Sequence, residues 1–303
     1  MIVKDKILEV KNLTHYYGEQ VGCEDISFDL YQGEILGIVG ESGSGKSTLL
    51  KCLSGQISPS QGMINFCIDK SQPLQDLCKI SEQKKRALMR KEWGIVQQNP
   101  RDGLRLRVSA GGNIAERIIN EEIKNYSKIR NKALEWMDKT EMEKSRIDDF
   151  PLNFSGGMQQ RLQISKILSS NPKLVYMDEP TGGLDVSVQA KLLDTITIIV
   201  RDLNVSMIIV SHDLAVVKFL TDKLLVMKSG KVVESGLTDR VLDDPQHSYT
   251  QLLTSSIRTE GAKGLKLSRY LTFKLSIFCI FSERGSANIE RAPKARGPNS
   301  IRP

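Results

Sequence analysis

Cysteine and histidine are scarce in this 303-residue chain, which holds five cysteines and three histidines. The cysteine number is odd and no C-x-x-C pair occurs, which argues against a disulfide framework and against a cysteine-based zinc site. The histidines lie far apart, so a histidine-based metal centre is not expected either. Free thiols are typical of a reducing compartment, and we therefore expect a cytoplasmic protein, with peripheral contact to the inner membrane as the alternative.

Long apolar segments are also missing. The chain has no run of about 18 apolar residues, so no segment is expected to cross a bilayer alone. Residues 1–12 carry Lys4, Asp5, Lys6 and Glu9, which leaves no apolar core for a signal peptide.

An excess of charge of one sign is missing from most of the chain, although the net charge of the whole chain is +7. Residues 259–303 hold nine basic and three acidic residues and so contribute six of these charges. The rest of the chain is nearly neutral, which gives no support for nucleic-acid binding. We expect the basic terminal segment to be poorly ordered, with a membrane-surface or partner-binding tail as the alternative.

A phosphate-binding pattern stands out in what the sequence does contain. The apolar run Ile35–Val39 predicts a buried strand, and Leu49, Leu50 and Leu53 have helical spacing. Between them lies the G-x-x-x-x-G-K-[ST] pattern, formed by Gly40, Glu41, Ser42, Gly43, Ser44, Gly45, Lys46 and Ser47 and followed by Thr48. Glycines let the backbone N–H groups approach a polyphosphate, and the helix adds the positive end of its dipole. We expect Lys46 to reach the β- and γ-phosphates and Ser47 to coordinate Mg²⁺.

A second helix start has the same character. Ser155-Gly156-Gly157 precedes a helical pattern that extends to about Ser169. Free N–H groups, one hydroxyl and no Cβ favour an anion there, although an ordinary helix cap is the alternative. Two such starts in one chain suggest that two ATP molecules are shared between two such proteins.

Two buried strands end in titratable residues. Leu174–Met177 leads into Asp178, which can hold the Mg²⁺ shell, and Glu179, which can polarise the attacking water. Ser206–Val210 is followed closely by His212, which we expect to sense the γ-phosphate, although such a histidine can also be structural.

Other segments complete the expected site. Ile7–Tyr17 and Ile26–Tyr31 read as an antiparallel pair, and Tyr16 or Tyr17 could stack on an adenine. Trp93–Val96 reads as a short strand, after which a neutral glutamine amide could bind a metal ion or its water.

The remaining patterns predict a surface loop, further helices and a hairpin. Pro100 predicts an extended exit from the preceding strand, and the residues that follow form either a solvated loop or a docking surface. The basic residues of that loop are Arg101, Arg105 and Arg107. Asn113–Arg146 is helical in pattern, Leu224–Lys228 and Lys231–Glu234 predict a hairpin, and Ser248–Leu253 predicts a closing helix.

Together these motifs resemble the nucleotide-binding domain of the ABC ATPase superfamily. The segments that carry the resemblance are Tyr17, GESGSGKS (40–47), Gln98, FSGGMQQR (154–161), LVYMDEP (174–180), GGLD (182–185) and 211–213. The resemblance covers roughly residues 5–258. It implies an α/β fold of P-loop NTPase type, with a mostly parallel core sheet flanked by helices, an antiparallel β subdomain and an α-helical signature subdomain at about residues 100–170.

The resemblance also implies roles. Tyr17 would stack on adenine, Glu179 would be the general base and His212 the switch histidine, with Lys46 as the third catalytic residue. The metal ligands would be Ser47, Gln98 (with Gln97 as the less favoured choice) and Asp178. The signature loop would close on the nucleotide of a second ABC subunit in a head-to-tail homo- or heterodimer, and comprises Ser155, Gly156, Gly157, Met158 and Gln159.

The sequence departs from the commonest pattern of the superfamily in two places. Met158 stands where glutamine is usual, and Gly182-Gly183 stands where Ser-Ala is usual. Further segments resemble the ATP-binding subunit of the bacterial carbon–phosphorus lyase system, which degrades phosphonates. They are Trp93–Val96, Asp102–Arg105, Val108–Arg117, Gly182–Ala190 and Val226–Pro245.

These resemblances favour an ATPase that drives conformational change while docked on the core subunits of a carbon–phosphorus lyase. An importer subunit for peptides, nickel or phosphonates, bound to a membrane permease, is the second hypothesis. A scaffold that binds ATP and barely hydrolyses it is the third, and Glu179 argues against it because a scaffold needs no base. The motifs alone do not separate the first two hypotheses.

Overall fold

The computed structural model describes residues 5–119 and 125–259. The basic segment 260–303 lies outside the described residues, so the expectation of poor order there is not tested. The domain limits 5–258 and 100–170 likewise remain predictions.

The strands form two sheets. In chain order they are β1 (Lys6–Tyr17), β2 (Gln20–Tyr31), β3 (Ile35–Val39), β4 (Gln61–Phe66), β5 (Gln75–Asp76), β6 (Trp93–Val96), β7 (Leu174–Asp178), β8 (Ser206–Val210), β9 (Lys223–Lys228) and β10 (Lys231–Leu237). One sheet is antiparallel with the order β2-β1-β4-β5, and the other has the order β10-β9-β3-β8-β7-β6. In the second sheet only the hairpin β9–β10 pairs antiparallel among the described strands. The mostly parallel core sheet and the separate antiparallel sheet are therefore confirmed.

The helices cover the core sheet and form the region between β6 and β7. They are α1 (Lys46–Leu53), α2 (Glu82–Lys91), α3 (Pro100–Gly103), α4 (Ala110–Ile118), α5 (Tyr126–Lys139), α6 (Gly156–Leu168), α7 (Val186–Leu203), α8 (Leu214–Leu220), α9 (Thr238–Asp243) and α10 (Ser248–Thr259), with 3₁₀ turns at Lys144–Asp148 and Pro151–Asn153. In the described part of the chain no helix has both the length and the apolar character that a bilayer span requires.

The core strands are buried on both faces, as parallel strands covered by helices require. Along β7, Leu174 and Tyr176 belong to the apolar cluster under the antiparallel sheet, whereas Val175 and Met177 belong to the cluster under the helices. This alternation follows from the two-residue period of a strand. It explains why β7 is apolar up to its last residue, Asp178, and why the candidate functional side chains occur only from the strand end onward.

The single helical stretch predicted over Asn113–Arg146 is wrong in detail. Helix α4 begins earlier, at the cap Ser109, and ends at Ile118, and a new helix begins after Asn125. The Asn125 side chain accepts the N–H of Lys128 at 3.1 Å, which is a standard N-cap and marks a fresh start.

The prediction of an extended exit at Pro100 is only partly correct. Asn99 is extended, with φ −90° and ψ 112°, as the residue before a proline should be. Pro100 itself is the first residue of a one-turn helix, where its missing N–H costs nothing, and the Asn99 side chain accepts from Arg101 N.

Candidate functional site

Topology gathers the predicted residues at one edge of the core sheet. Strands β3, β6, β7 and β8 run parallel, so their carboxyl ends lie together. The chain leaves these ends at Gly40, Gln97, Glu179 and Ser211. A cleft of about 810 Å³ lies there, lined by Tyr17, Gln20, Val21, Gly22, Ser42, Gly43, Gly45, Lys46, Ser47, Thr48, Gln98, Glu179 and His212.

The loop from Gly40 to Ser47 depends on its glycines for close packing. Gly45 has φ +98°, and a Cβ placed on it would lie 2.2 Å from the carbonyl oxygen of Gly22. Gly40 has φ +151°, and its Cβ would lie 2.2 Å from the carbonyl oxygen of Met227. The loop is thus wedged between β2 and β9, and no side chain fits at either point.

Lys46 is 7% exposed and lies inside the loop. Its ammonium donates to the carbonyl oxygens of Gly40 at 2.8 Å and Glu41 at 2.7 Å, and it lies 3.4 Å from the hydroxyl of Ser44. Burial lowers the pKa of Lys46, and the nearby carboxylates of Glu179 and Asp178 oppose that shift. The three donors of the ammonium are therefore held by oxygen atoms of the loop itself.

Asp178 is the last residue of β7, and its carboxylate lies near the hydroxyl of Ser47. Burial raises the pKa of Asp178, the neighbouring Glu179 carboxylate raises it further, and the Ser47 hydroxyl acts in the opposite sense. A hydroxyl and a carboxylate oxygen are thus held side by side at the start of α1.

Glu179 joins three strand ends through one carboxylate. Its Oε1 lies 2.8 Å from Nδ1 of His212, and its Oε2 accepts from Nε2 of Gln98 at 3.3 Å. Its backbone N–H donates to the carbonyl of Val210 at 2.9 Å, and its φ is +43°, in the left-handed region. His212 is 67% exposed, so its ring stands at the open side of this group. The structure thus brings together Gln98, Glu179 and His212, which follow the ends of three separate strands.

Tyr17 lines the same cleft. Its ring is half exposed and packs edge-on against His15, with the centroids 4.7 Å apart. Tyr16 is described as well, but it is not among the residues that line this cleft. The geometry therefore favours Tyr17 over Tyr16 for a stacking role.

The signature loop forms a separate cleft. Ser155 is exposed and caps α6 by accepting the N–H of Met158 at 3.4 Å. A cleft of about 390 Å³ is lined by Ser155, Gly156, Gly157, Met158, Arg161, Gly183, Leu184, Asp185, Ser187, Val188 and Lys191. Gln159 points inward, and its amide donates to the carbonyl of Pro151 at 2.8 Å. Of the described residues, none lines both clefts, so the signature loop and the phosphate loop open onto separate clefts.

A basic groove lies between α2, α4 and α6, and none of its lining residues lines the cleft at the strand ends. It encloses about 600 Å³ and is lined by Arg86, Met89, Arg90, Ile95, Gly103, Arg105, Glu116, Arg117, Lys166 and Ile167. Glu116 is ion-paired with Arg105 at 3.1 Å and with Lys166 at 3.0 Å. Arg117 is partly structural, because it donates to the carbonyls of Arg90 at 2.7 Å and Trp93 at 3.1 Å, and burial lowers its pKa.

Sequence reasoning missed two parts of the site. Gly22 touches the phosphate loop from β2, whereas the sequence placed it outside the strand predicted over Ile26–Tyr31. Tyr249 contacts Glu41 from α10, and nothing in the local sequence indicates a contact between residues so far apart in the chain.

Comparison with known proteins agrees with this geometry. Residues 23–182 match the family model described as ABC transporter. The chain is 57% identical over 251 residues to the ATP-binding protein PhnK of Escherichia coli K12, covering 83% of this chain and 97% of PhnK. It is 35% identical to the oligopeptide transport ATP-binding protein OppD of Bacillus subtilis, covering 87% of this chain and 75% of OppD.

Solved structures lead to the same family. The ATP-binding cassette MJ0796, a dimer in a post-hydrolysis state bound to ADP and phosphate, matches with a TM-score of 0.68 and 25% identity over 77% of this chain and 99% of that chain. The protein cbiO1 from Clostridium perfringens matches with a TM-score of 0.70 and 26% identity over 89% of this chain and 99% of that chain. The strand-end site, the phosphate loop and these relatives lead to one conclusion: the chain is an ATP-binding subunit of the ABC transporter family.

Proposed function

We propose that this chain hydrolyses ATP as a subunit of a phosphonate-utilization system, docked on the core of a carbon–phosphorus lyase. The observation that carries the ATPase part is the set of Gln98, Glu179 and His212 beside Lys46. The phosphonate part is supported by the likeness to PhnK, whose name connects it with phosphonate utilization. A cytoplasmic location is part of the same proposal.

ATP is gripped by the loop and the first turn of α1. The ammonium of Lys46 exchanges the carbonyls of Gly40 and Glu41 for phosphate oxygens, which form stronger, charge-assisted hydrogen bonds. The N–H groups after Gly43 and the dipole of α1 add further attraction for negative charge. Tyr17 lines the same cleft, and its half-exposed ring offers a face on which a base can stack.

Mg²⁺ fits the oxygen atoms present. The hydroxyl of Ser47 and the carboxylate of Asp178 already lie near each other, and Mg²⁺ is usually held by one or two protein oxygens together with substrate phosphates. Within the described ranges, no group of three or more His, Cys, Asp or Glu residues could hold a metal by itself. This matches an ion that arrives with the nucleotide, and Gln98 would add its amide oxygen. When bound, the ion supplies positive charge to the phosphates.

Glu179 serves as the base for the attacking water. The water oxygen forms a bond to the γ-phosphorus, its proton goes to the Glu179 carboxylate, and the bond to the ADP oxygen breaks. Gln98 and His212 hold the two carboxylate oxygens from opposite sides, which fixes the direction of the carboxylate. His212 also lines the cleft, where it can meet the γ-phosphate.

Two subunits complete each site. The exposed helix start at Ser155 is separate from the phosphate loop of its own chain, so a second subunit must supply it. We propose head-to-tail pairing, with this chain or a similar ATPase as the partner. The dimeric state of the MJ0796 cassette supports this arrangement. ATP adds negative charge between two helix N-termini and stabilises closure, and hydrolysis weakens it.

The basic groove is the proposed docking surface for the lyase core. Its cations outnumber its one acid, Glu116, so an acidic or polar element of the core would find complementary charge. The importer hypothesis uses the same face for a permease, and the likeness to OppD keeps it as the second candidate.

Co-purification separates the two candidates. Tagged lyase-core subunits and tagged permease subunits are each mixed with the chain in the presence of ATP and Mg²⁺. Capture by the core supports the proposal, whereas capture by the permease alone, or by neither, refutes it. Arg105→Glu in the groove is expected to abolish capture, and Lys218→Glu, on α8, is the matched charge-reversal control that should retain it.

A further inference from the structure

The last described helix reaches back to the phosphate loop. The hydroxyl of Tyr249, in the first turn of α10, accepts the backbone N–H of Glu41 at 2.9 Å. Tyr249 is 5% exposed, so water does not compete well for this hydrogen bond.

Both backbone polar groups of Glu41 therefore form hydrogen bonds. Its N–H is held by Tyr249, and its carbonyl oxygen accepts from Lys46 at 2.7 Å. The carbonyl contact is lost when the ammonium turns to a phosphate, because the same donor cannot serve both at full strength. The Tyr249 hydrogen bond does not involve Lys46 and remains.

Tyr249 is itself firmly placed. Its N–H donates to Nδ1 of His247 at 3.1 Å, and the N–H of His247 donates to the Glu234 carboxylate at 3.0 Å. On the other side, the ammonium of Lys228 lies 4.8 Å from the centre of the Tyr249 ring. The hydroxyl is thus fixed by β9 and β10, the same hairpin that contacts the loop through the N–H of Gly230 and the carbonyl of Ser44.

We propose that Tyr249 is a positioning residue for nucleotide binding, which keeps the first bend of the phosphate loop in its binding shape while Lys46 moves to the phosphates. The proposal rests on the proposed function, since it requires ATP in this cleft. It also links the helix that leads into residues 260–303 to the grip on the nucleotide.

The test compares two tyrosine hydroxyls. Tyr249→Phe removes the hydroxyl and keeps the ring on Lys228. Tyr176→Phe is the matched control, because its buried hydroxyl donates to the carbonyl of Leu53 at 2.9 Å, at the far end of α1. Dissociation constants for ATP and ADP are measured by calorimetry, and KM and kcat by phosphate release.

Tyr249→Phe is expected to raise the KM for ATP and both dissociation constants about fivefold, the effect of one neutral hydrogen bond. Its kcat should stay within about twofold, because the base at Glu179 is untouched. Unchanged constants in Tyr249→Phe, or an equal rise in Tyr176→Phe, overturn the positioning role. If the unaltered chain binds no nucleotide, the proposed function fails instead.

A second measurement covers the case in which Tyr249→Phe does not fold. With ¹⁵N-glutamate labelling of the unaltered chain, the amide of Glu41 should be protected from hydrogen exchange both without and with ATP. Rapid exchange of that amide in the ATP-bound protein overturns the proposal.

Discussion

Replacing Gly45 by alanine tests how tightly the phosphate loop is wedged against β2. The new Cβ would lie 2.2 Å from the Gly22 carbonyl oxygen, whereas real Cβ atoms essentially never come closer than 3.0 Å, so the loop or β2 must move by 0.8 Å or more. The backbone also has φ +98°, which costs a non-glycine residue about 1–2 kcal/mol. Overpacking adds about 1–3 kcal/mol.

Gly43→Ala is the matched control for that prediction. Gly43 has φ +82°, so it carries the same kind of backbone cost, but its Cβ would meet nothing within 4 Å. Urea unfolding of the nucleotide-free protein should therefore show a loss of about 1–2 kcal/mol for Gly43→Ala and at least ~1 kcal/mol more for Gly45→Ala. A displacement of this size near the phosphates should also lower the ATPase kcat/KM of Gly45→Ala by about 100-fold. Equal losses of stability in the two variants would refute the wedge.

Three further changes probe other parts of the site. Glu179→Gln should keep ATP binding within about threefold while slowing hydrolysis by ~10²-fold or more, as phosphate release would show; hydrolysis at the parental rate would remove Glu179 as the base. Asp178→Asn should raise the Tm of the nucleotide-free protein at neutral pH, because burial raises the pKa of Asp178 and makes its ionised form unfavourable in the folded state. That gain should shrink as the pH falls through the raised pKa and the wild-type carboxyl becomes neutral, and a gain that grows in acid would contradict it. Asn113→Ala should cost about 2–4 kcal/mol in urea unfolding, because the buried Asn113 side chain pairs with backbone groups of Arg105, Val108 and Ser109 that would be left without a partner; a loss under ~1 kcal/mol would contradict this.

The sequence was sufficient for the parts of the fold that depend on local pattern. Ile35–Val39, Trp93–Val96 and Ser206–Val210 are strands with the predicted limits, because runs of four or five mostly apolar residues have the length of strands and are too short for typical helices. The parallel arrangement then places the ends of these strands together. This accounts for the proximity of Gln98, Glu179 and His212, whose roles the sequence indicated only through the resemblance to the ABC ATPase superfamily.

The rest depended on tertiary contacts that no local pattern records. The end of one helix at Ile118 and the start of another after Asn125 were missed because the apolar spacing continues between them, and only the cap side chain marks the new helix. Tyr249 was missed because its role lies in a hydrogen bond to Glu41, 208 positions earlier in the chain. The pairing of Glu179 with both Gln98 and His212 depends on side-chain directions, which the sequence does not specify.

The left-handed backbone at Glu179 has a consequence for how this position can change. Glycine would adopt φ +43° freely, whereas glutamate does so at a cost of about 1–2 kcal/mol. Glu179→Gly would therefore relieve the backbone cost, but it would also remove the carboxylate that contacts Gln98 and His212. The backbone conformation at this position suits glycine, whereas the proposed chemistry requires a carboxylate.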